Sequence, residues 1–356
     1  NPCFLYSALD ALPPERLIAW MEAHGCPVVV ERGQRAFPKS QKASDVTRAF
    51  ERELRRLGVR VMLGARVRAL MVEGGRLTGV ALESGESLRA DAAIVCTGGQ
   101  SYPSTGSTGD GWAWLEGCGH TVYPALPSLV GLESPAQWVR ELTGLSLKNV
   151  RITLSHGKKK LYTELGEMLF THFGVSGPLA LSASSHLGDM KKHRYHAEID
   201  LKPALSEEQL YDRITRDFAL LANHAAQGAL VKLLPSSMQP VMVARWGIDP
   251  ATRANQITRE QKRELVQLIK HWRVSIDARG DLAHAVITSG GVSVREVDPK
   301  TMQSKKALGL YFAGEVLDVD AYTGGFNLQI AFSTAMAAAD AAARPVSDCI
   351  NRKGNE

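Results

Sequence analysis

Two short apolar runs, each closed by glycine, constrain this chain more than any other feature. Ala92-Ala93-Ile94-Val95-Cys96 leads into Thr97-Gly98-Gly99, and Leu310-Tyr311-Phe312-Ala313 leads into Gly314-Glu315. A continuous apolar run of this length reads as a strand buried on both faces, the habit of parallel sheets covered by helices. Ligands of such sheets gather outside the carboxyl ends of the strands, where glycine lets the backbone approach closely. For each motif alone a plainer reading stays open: a flexible turn after the first strand, an acid capping the next helix after the second.

Around these runs the pattern alternates. Residues 14–24 read as a helix with Leu17, Ile18 and Met21 on its apolar stripe, followed by a strand at Val28-Val29-Val30. A second helix is capped by Ser44 or Asp45 and ended by Gly58, and Val59 to Leu63 reads as a further strand. Three short strands then form a meander over Val67 to Val72, Leu77 to Leu82 and Ser87 to Ala90, with Gly74-Gly75 and Ser84-Gly85 as turns. The expected architecture is α/β, a discontinuous nucleotide-binding domain over 1–123 and 284–343. An insert over 124–283 interrupts it, β-rich from 124 to 202 and helical from 203 to 272. Residues 344–356 are expected to be a frayed tail.

A third element is Thr323-Gly324-Gly325-Phe326-Asn327-Leu328-Gln329, opening a helix rich in Ala and Ser. A glycine-led helix start presents unpaired backbone N–H groups and a positive dipole end. That suits a phosphate, or the edge of a reduced flavin where negative charge develops; close helix-to-sheet packing is the alternative. The phosphate-cradling G-x-G-x-x-G after a strand is missing: Gly106, Gly109 and Gly111 have the wrong spacing. The chain begins Asn1-Pro2-Cys3 without Met, which reads as a truncated N-terminus.

Composition narrows the classes. An apolar fraction of 44% and a charged fraction of 22% over 356 residues describe a globular protein large enough for two domains. The net charge of +5 is spread along the chain. Lys158-Lys159-Lys160 and Lys191-Lys192-His193-Arg194 read as solvated turns between strands, so a nucleic-acid partner is not expected. The five cysteines form no C-x-x-C pair, which excludes a zinc site or redox dithiol by spacing and fits a reducing cytoplasm. No apolar run reaches bilayer length and no signal peptide is present, so neither a membrane partner nor export is expected.

Four segments together carry a resemblance. They read CTGGQSYPSTGSTGDG over Cys96–Gly111, GEMLFTHFGVSGP over Gly166–Pro178, AVITSGGVSVREVDPKTMQSK over Ala285–Lys305, and GLYFAGEVLDVDAYTGGFNLQIAF over Gly309–Phe332. In this order they resemble the BaiN/YhiN-like family of NAD(P)/FAD-dependent flavoproteins, from residue 1 to about 343. The resemblance implies a glutathione-reductase-like FAD domain, here lacking its first βαβ unit, with an inserted domain part β-barrel-like and part helical. It implies FAD as cofactor and NAD(P)H as reductant, with hydride passing through flavin N5 to a small, electron-poor organic acceptor. Some members of the family act reductively on steroid-like substrates.

Carried onto this sequence, the resemblance implies cofactor contacts at Val67 (adenine, through its backbone), at Thr97, Gly98 and Gly99 (beside the cofactor), and at Gly314 and Glu315 (ribityl or ribose hydroxyls). It places Gly325, Phe326, Asn327 and Leu328 at the isoalloxazine ring. Two residues are candidate proton donors: His172, since imidazole is the side-chain type suited to proton transfer, and Tyr102, on the loop after Gly99. A structural His fixing a turn, and an amphipathic lid Tyr, are the alternatives. His120 reads as ordinary packing. Two other functions stay open: a flavoprotein acting with tRNA or another nucleic acid, as some related FAD folds do, and an inactive fragment without its dinucleotide fingerprint.

Overall fold

The computed structural model describes residues 1–31, 33–190 and 192–344. From the N-terminus it carries α1 (Tyr6–Ala11), α2 (Pro14–Ala23), β1 (Val28–Glu31), β2 (Arg35–Pro38), α3 (Ala43–Arg56), β3 (Val67–Glu73), β4 (Arg76–Leu82), β5 (Ser87–Arg89), β6 (Ala93–Val95), α4 (Asp110–Gly117) and β7 (Val122–Ser128). Then follow β8 (Leu132–Glu133), α5 (Gln137–Glu141), β9 (Ser146–His156), β10 (Lys159–Phe170), β11 (Gly174–Ser176), α6 (Pro178–Ser184), β12 (Tyr195–Asp200), α7 (Glu207–Leu220), α8 (Ala226–Ala229), α9 (Met238–Trp246), α10 (Arg259–Lys270), β13 (Trp272–Ile276) and β14 (Ala278–Arg279). The last elements are β15 (Ile287–Val292), β16 (Leu310–Phe312) and α11 (Phe326–Ala342).

The chain divides into two compact units, Asn1–Ser128 with the chain from Leu282 onward, and Leu129–Asp281. The dividing residues lie slightly inside the 124–283 insert read from sequence. The reason is β7, which pairs antiparallel with β15 from Val122↔Val292 to Ser128↔Ile287 and so belongs to the first unit.

In the first unit the two glycine-closed runs are neighbours. β6 and β16 pair in parallel, with Leu310 opposite Ala93 and Phe312 opposite Val95. Leu310 and Phe312 are fully buried, as expected for a strand covered on both faces. The meander forms as read: β3, β4 and β5 make a three-stranded antiparallel sheet. α11 is anchored to the end of α1, where Gln329 Nε2 and Ser333 Oγ donate to the Leu12 carbonyl at 2.8 and 2.7 Å. His120 is more than packing. Its buried ring bonds Ser304 Oγ through Nε2 at 2.9 Å, stands edge-on to Phe312 at 5.2 Å, and brings Nδ1 to 3.4 Å from Glu296 Oε2.

One strand reading of this unit is corrected and another is borne out with a partner the sequence did not show. Val59 to Leu63 is not a strand; Val59, Val61 and Leu63 are exposed, with no partner strand to hide them. The strand at Val28 is half of a hairpin whose other half, Arg35–Pro38, carries Arg and Pro and does not look like a strand from its composition.

The second unit is built on a seven-stranded antiparallel sheet in the order β13-β12-β9-β10-β11-β8-β14. β13 and β14 lie at opposite edges of that order yet are separated in sequence by Asp277 alone. One segment therefore pairs with both β12 and β8, and the sheet curls to meet itself. Trp272 on β13 is fully buried, meets Trp138 edge-on at 5.1 Å, and shares with it the Arg245 guanidinium, 4.4 Å from the Trp138 ring and 4.5 Å from its own. α7 and α10 start with capping boxes at Ser206/Gln209 and Thr258/Gln261.

The two basic runs read as separate turns are not separate. β9 lies between β10 and β12, so His156 faces both Lys159 and Tyr195, and the Lys158–Lys160 turn adjoins the Lys192–Arg194 segment. Lys191, Cys349 and the tail from 345 onward lie outside the described residues. Among the described residues no helix is long and apolar enough to cross a membrane, and no cluster of metal ligands occurs.

Candidate active site

The site is assembled at the carboxyl ends of β6 and β16, where the backbone turns away from the sheet and leaves the space that parallel folds use for ligands. The Ala313 N–H donates to the Val95 carbonyl at 3.1 Å, so Cys96-Thr97-Gly98-Gly99 and Gly314-Glu315 emerge side by side. A knot of polar groups fixes their separation. The Thr288 N–H donates to Glu315 Oε1 at 2.6 Å, and Ser101 Oγ donates to the same oxygen at 3.0 Å. Thr288 Oγ1 in turn accepts the N–H groups of Gln100 and Ser101 at 2.8 and 2.9 Å. Gly99 passes so close to this knot that a Cβ on it would fall 2.4 Å from Thr288 Oγ1 and 3.0 Å from Glu315 Oε1. Both hydrogen bonds to Glu315 fall on Oε1 and neither engages Oε2.

Thr97 is the unsatisfied member of the group. Its Oγ1 is buried and makes no hydrogen bond within the protein. α4 presses against it, and a Cβ on Gly111 would fall 2.0 Å from that hydroxyl oxygen. The same first turn of α4 reaches the meander, since Asp110 Oδ2 accepts from Arg66 Nε and Nη2 at 3.2 and 3.1 Å. Val67 follows Arg66 and lines a cleft of about 360 Å³ with Arg66, Asp110 and Trp114.

α11 completes the site. Its Thr334 Oγ1 accepts the Gly314 N–H at 2.9 Å, and Ala331 lies directly beneath Gly314. Phe326 is about 8 Å along the axis from Ala331, so the helix start and the end of β16 are close neighbours. Gly324 and Gly325 turn the chain into α11 with left-handed φ of 120° and 95°. The first intrahelical bond runs from the Gln329 N–H to the Gly325 carbonyl at 3.0 Å, which leaves the N–H groups of Phe326, Asn327 and Leu328 ahead of the ladder. The Asn327 side chain is committed elsewhere. Its Oδ1 accepts the Ala321 N–H and its Nδ2 donates to the Ala321 carbonyl, both at 2.8 Å, clamping the glycine loop. What Asn327 offers a ligand is its backbone.

Phe326 and Leu328 are 57% and 65% exposed. With Gly324 and Gly325 they border a cavity of about 250 Å³ whose opposite walls come from Leu17, Ile18 and Met21 on α2, Phe37 on β2, and Phe332 on α11. Among the described residues its lining includes no Asp, Glu, Lys, Arg or His. In the sequence the α2 stripe is indistinguishable from ordinary core. The signal that this face borders a cavity is Phe37, an aromatic residue on a short hairpin, and it becomes legible only once α11 is in place.

The two proton-donor candidates fall in different units. Tyr102 is exposed, on the loop between β6 and α4, with a left-handed φ of 50°. His172 is exposed in the turn between β10 and β11, edge-on to Phe173 at 5.1 Å.

The residues present fit a flavin in three respects: a buried hydroxyl without a partner at Thr97, a free helix start at Phe326 to Leu328, and an apolar cavity beside it.

Comparison with known proteins places the chain in a family. Residues 1–341 match the HI0933-like protein Rossmann domain family. The chain is 30% identical over 314 residues to 3-dehydro-bile acid delta(4,6)-reductase of Clostridium scindens, covering 88% of this chain and 76% of the relative. It is 34% identical over 248 residues to the ribosomal RNA dihydrouridine synthase of Haemophilus influenzae, covering 69% of this chain and 59% of the relative. It is also 30% identical over 268 residues to the ribosomal RNA dihydrouridine synthase of Escherichia coli, covering 74% and 63%. The chain thus spans about three-quarters of the first relative's length and less than two thirds of the other two. Its fold, its strand-end site and a match running from residue 1 to residue 341 make it a member of the HI0933-like Rossmann family.

Proposed function

We propose that this chain, an enzyme of the flavin-dependent oxidoreductase class, reduces a small, apolar, electron-poor organic acceptor with FAD as cofactor and NAD(P)H as reductant. The observation that carries the reading is the largely apolar cavity, with no Asp, Glu, Lys, Arg or His among its described lining residues, that opens beside the start of α11. Bound at that helix start, a flavin supplies two-electron redox chemistry.

The residues divide the work. The N–H groups of Phe326, Asn327 and Leu328, at the positive end of α11, favour negative charge developing next to them. Thr97 Oγ1 and Glu315 Oε2 are the groups available to cofactor hydroxyls, and Val67 is assigned the adenine side through the cleft it lines. Gly98, Gly99 and Gly314 keep the strand ends low enough for a close approach. Leu17, Ile18, Met21 and Phe37 exclude water from the acceptor. That wall offers no carboxyl, imidazole or ammonium group to deliver a proton. We assign that step to the Tyr102 phenol, whose left-handed backbone is a conformation that bulky residues hold where function requires it; His172 is the alternative. A reducing, cytoplasmic setting goes with the proposal, in keeping with free Cys3, Cys26, Cys96 and Cys118.

A conjugated alkene suits the acceptor role, because it is the chemistry common to a delta(4,6)-reductase and a synthase of dihydrouridine. The second relative supports a second reading, in which the reduced alkene is a base in RNA. The test is anaerobic addition of NADH and NADPH to the flavin-loaded protein. Loss of the visible flavin absorbance, restored by an enone, is the expected result; unchanged absorbance with both nucleotides overturns the reading.

A further inference from the structure

We infer that the end of the second unit's sheet formed by the β9–β10 turn and the segment entering β12 is a docking surface for single-stranded RNA. Lys158, Lys159, Lys160, Lys192 and Arg194 are all exposed and converge there, although the two runs are more than thirty positions apart in sequence. β9 separates β10 from β12, so the backbones at Lys159 and Arg194 stand about 10 Å apart across the sheet. A flexible chain of phosphates can be held at two points at that separation.

Charge alone does not choose the partner; the rings between the charges do. His156 lies at the centre of the patch and its Nδ1 is 3.0 Å from the Arg194 carbonyl oxygen. His193 packs on it at 4.4 Å between centroids, and both rings lean on Tyr195, at 5.6 and 6.2 Å. His193 is exposed, so this edge-on and tilted ring cluster ends in a planar ring at the surface among cations. Unpaired bases stack on such rings while lysine and arginine track the backbone. Neither turn presents a large apolar side chain, which a membrane-surface site needs in order to insert. The acidic side chain beside these cations is Asp189, 3.5 Å from Lys192 in an exposed pair that solvent screens.

The inference stands on the charges and rings of the second unit and does not rest on the flavin reading. It supplies the second reading with a surface for the polymer that would carry the base.

The experiment is fluorescence anisotropy of a short fluorescein-labelled oligouridylate with the whole chain over a range of salt concentrations. The unsubstituted protein is expected to bind with an affinity that falls as salt rises. Combined Lys158→Ala, Lys159→Ala and Lys160→Ala should lower affinity at least about tenfold and reduce the log–log salt slope by about 0.7 for each phosphate no longer neutralised. His193→Ala should weaken binding at every salt concentration without changing the slope, which separates stacking from charge. Thermal melting of each variant establishes that it is folded, and its NAD(P)H-dependent flavin reduction should be unchanged. RNA affinity unaltered in the lysine variant overturns the proposal. So does preferential binding of mixed phosphatidylcholine and phosphatidylserine vesicles over the oligonucleotide. Absence of flavin reduction in the unsubstituted protein with RNA binding intact would sink the oxidoreductase reading and leave this one standing.

Discussion

The Thr288 N–H donates to Oε1 of Glu315 at 2.6 Å, so the end of β16 is positioned by a residue of β15 and not only by its parallel neighbour. A charge-assisted bond of this kind is stronger than a neutral one, and Thr288 is almost completely buried. Glu315→Gln keeps an acceptor of similar shape and should cost about 1 kcal/mol. Glu315→Ala leaves the Thr288 N–H and Ser101 hydroxyl without this acceptor and should cost about 1–3 kcal/mol. Thermal unfolding of both variants, with the flavin-to-protein ratio after purification, checks the order; equal stability of the two would show that the knot holds nothing.

Thr97→Val separates folding from binding. A buried hydroxyl without a partner is a net cost to the protein alone. Its removal in a similar shape should leave the flavin-free protein as stable or about 1 kcal/mol more stable, while weakening flavin affinity. Denaturant unfolding and flavin titration on the same preparation give both numbers. A destabilised variant with unchanged flavin affinity would remove Thr97 from the site.

The pH dependence of stability has two sources around β16. Burial depresses the His120 pKa and outweighs the opposing pull of Glu296. The unfolded imidazole takes up a proton near pH 6.5 while the folded one resists. The contribution of His120 is therefore complete above about pH 6.5 and is lost as pH falls toward the lower folded pKa. Burial pushes the Glu296 carboxyl up, but hydrogen bonds from Lys306 and Thr121 prevail and hold it at about 2. Its contribution is present above the ordinary carboxylate range and is lost as pH falls toward about 2. Melting temperature against pH should fall in two stages on acidification, and His120→Gln should abolish the first. A first stage that survives this substitution assigns it to another group.

Leu328→Ala probes the cavity rim. The side chain is 65% exposed, so truncation should change stability by no more than about 0.5 kcal/mol. If an apolar ligand covers it, KM for the acceptor rises or flavin retention falls. Steady-state kinetics beside a melting curve decides, and a variant indistinguishable in both removes Leu328 from the site.

Tyr102→Phe retains the ring and removes the acidic proton. A positioned general acid contributes about 10²–10⁴ in rate, so kcat should fall by that order with little change in KM, and the alkaline limb of the pH profile should shift. An unchanged profile transfers the role to His172, to be tested by His172→Asn.

The parts of this site that a reader can find in the sequence are those whose cause is local. The strand ends at Val95 and Phe312 announce themselves because burial on both faces writes an unbroken apolar run, and the start of α11 because two glycines precede a helix of small residues. Val59 to Leu63, a mostly apolar run broken by Arg60, finds no partner strand among the described residues and remains exposed. What is not legible depends on meetings between distant segments. Thr288 meets Glu315, Phe37 meets the far side of α11, and Arg194 meets His156 only after the sheets are paired. Asn327 shows the reverse: its position in the motif is apparent, but not that its side chain is consumed by Ala321.

The placement of β13 and β14 on either side of Asp277 has a consequence for biosynthesis. Until residues 272–279 have left the ribosome, β12 and β8 each present a bare row of backbone donors and acceptors, the arrangement that invites pairing with a foreign strand. One late segment covers both rows at once, and it brings with it the indole that fills the centre of the unit. A nascent chain halted before Trp272 is thus an aggregation hazard at both edges of this sheet, and one that has released residues 272–279 has covered those two edges.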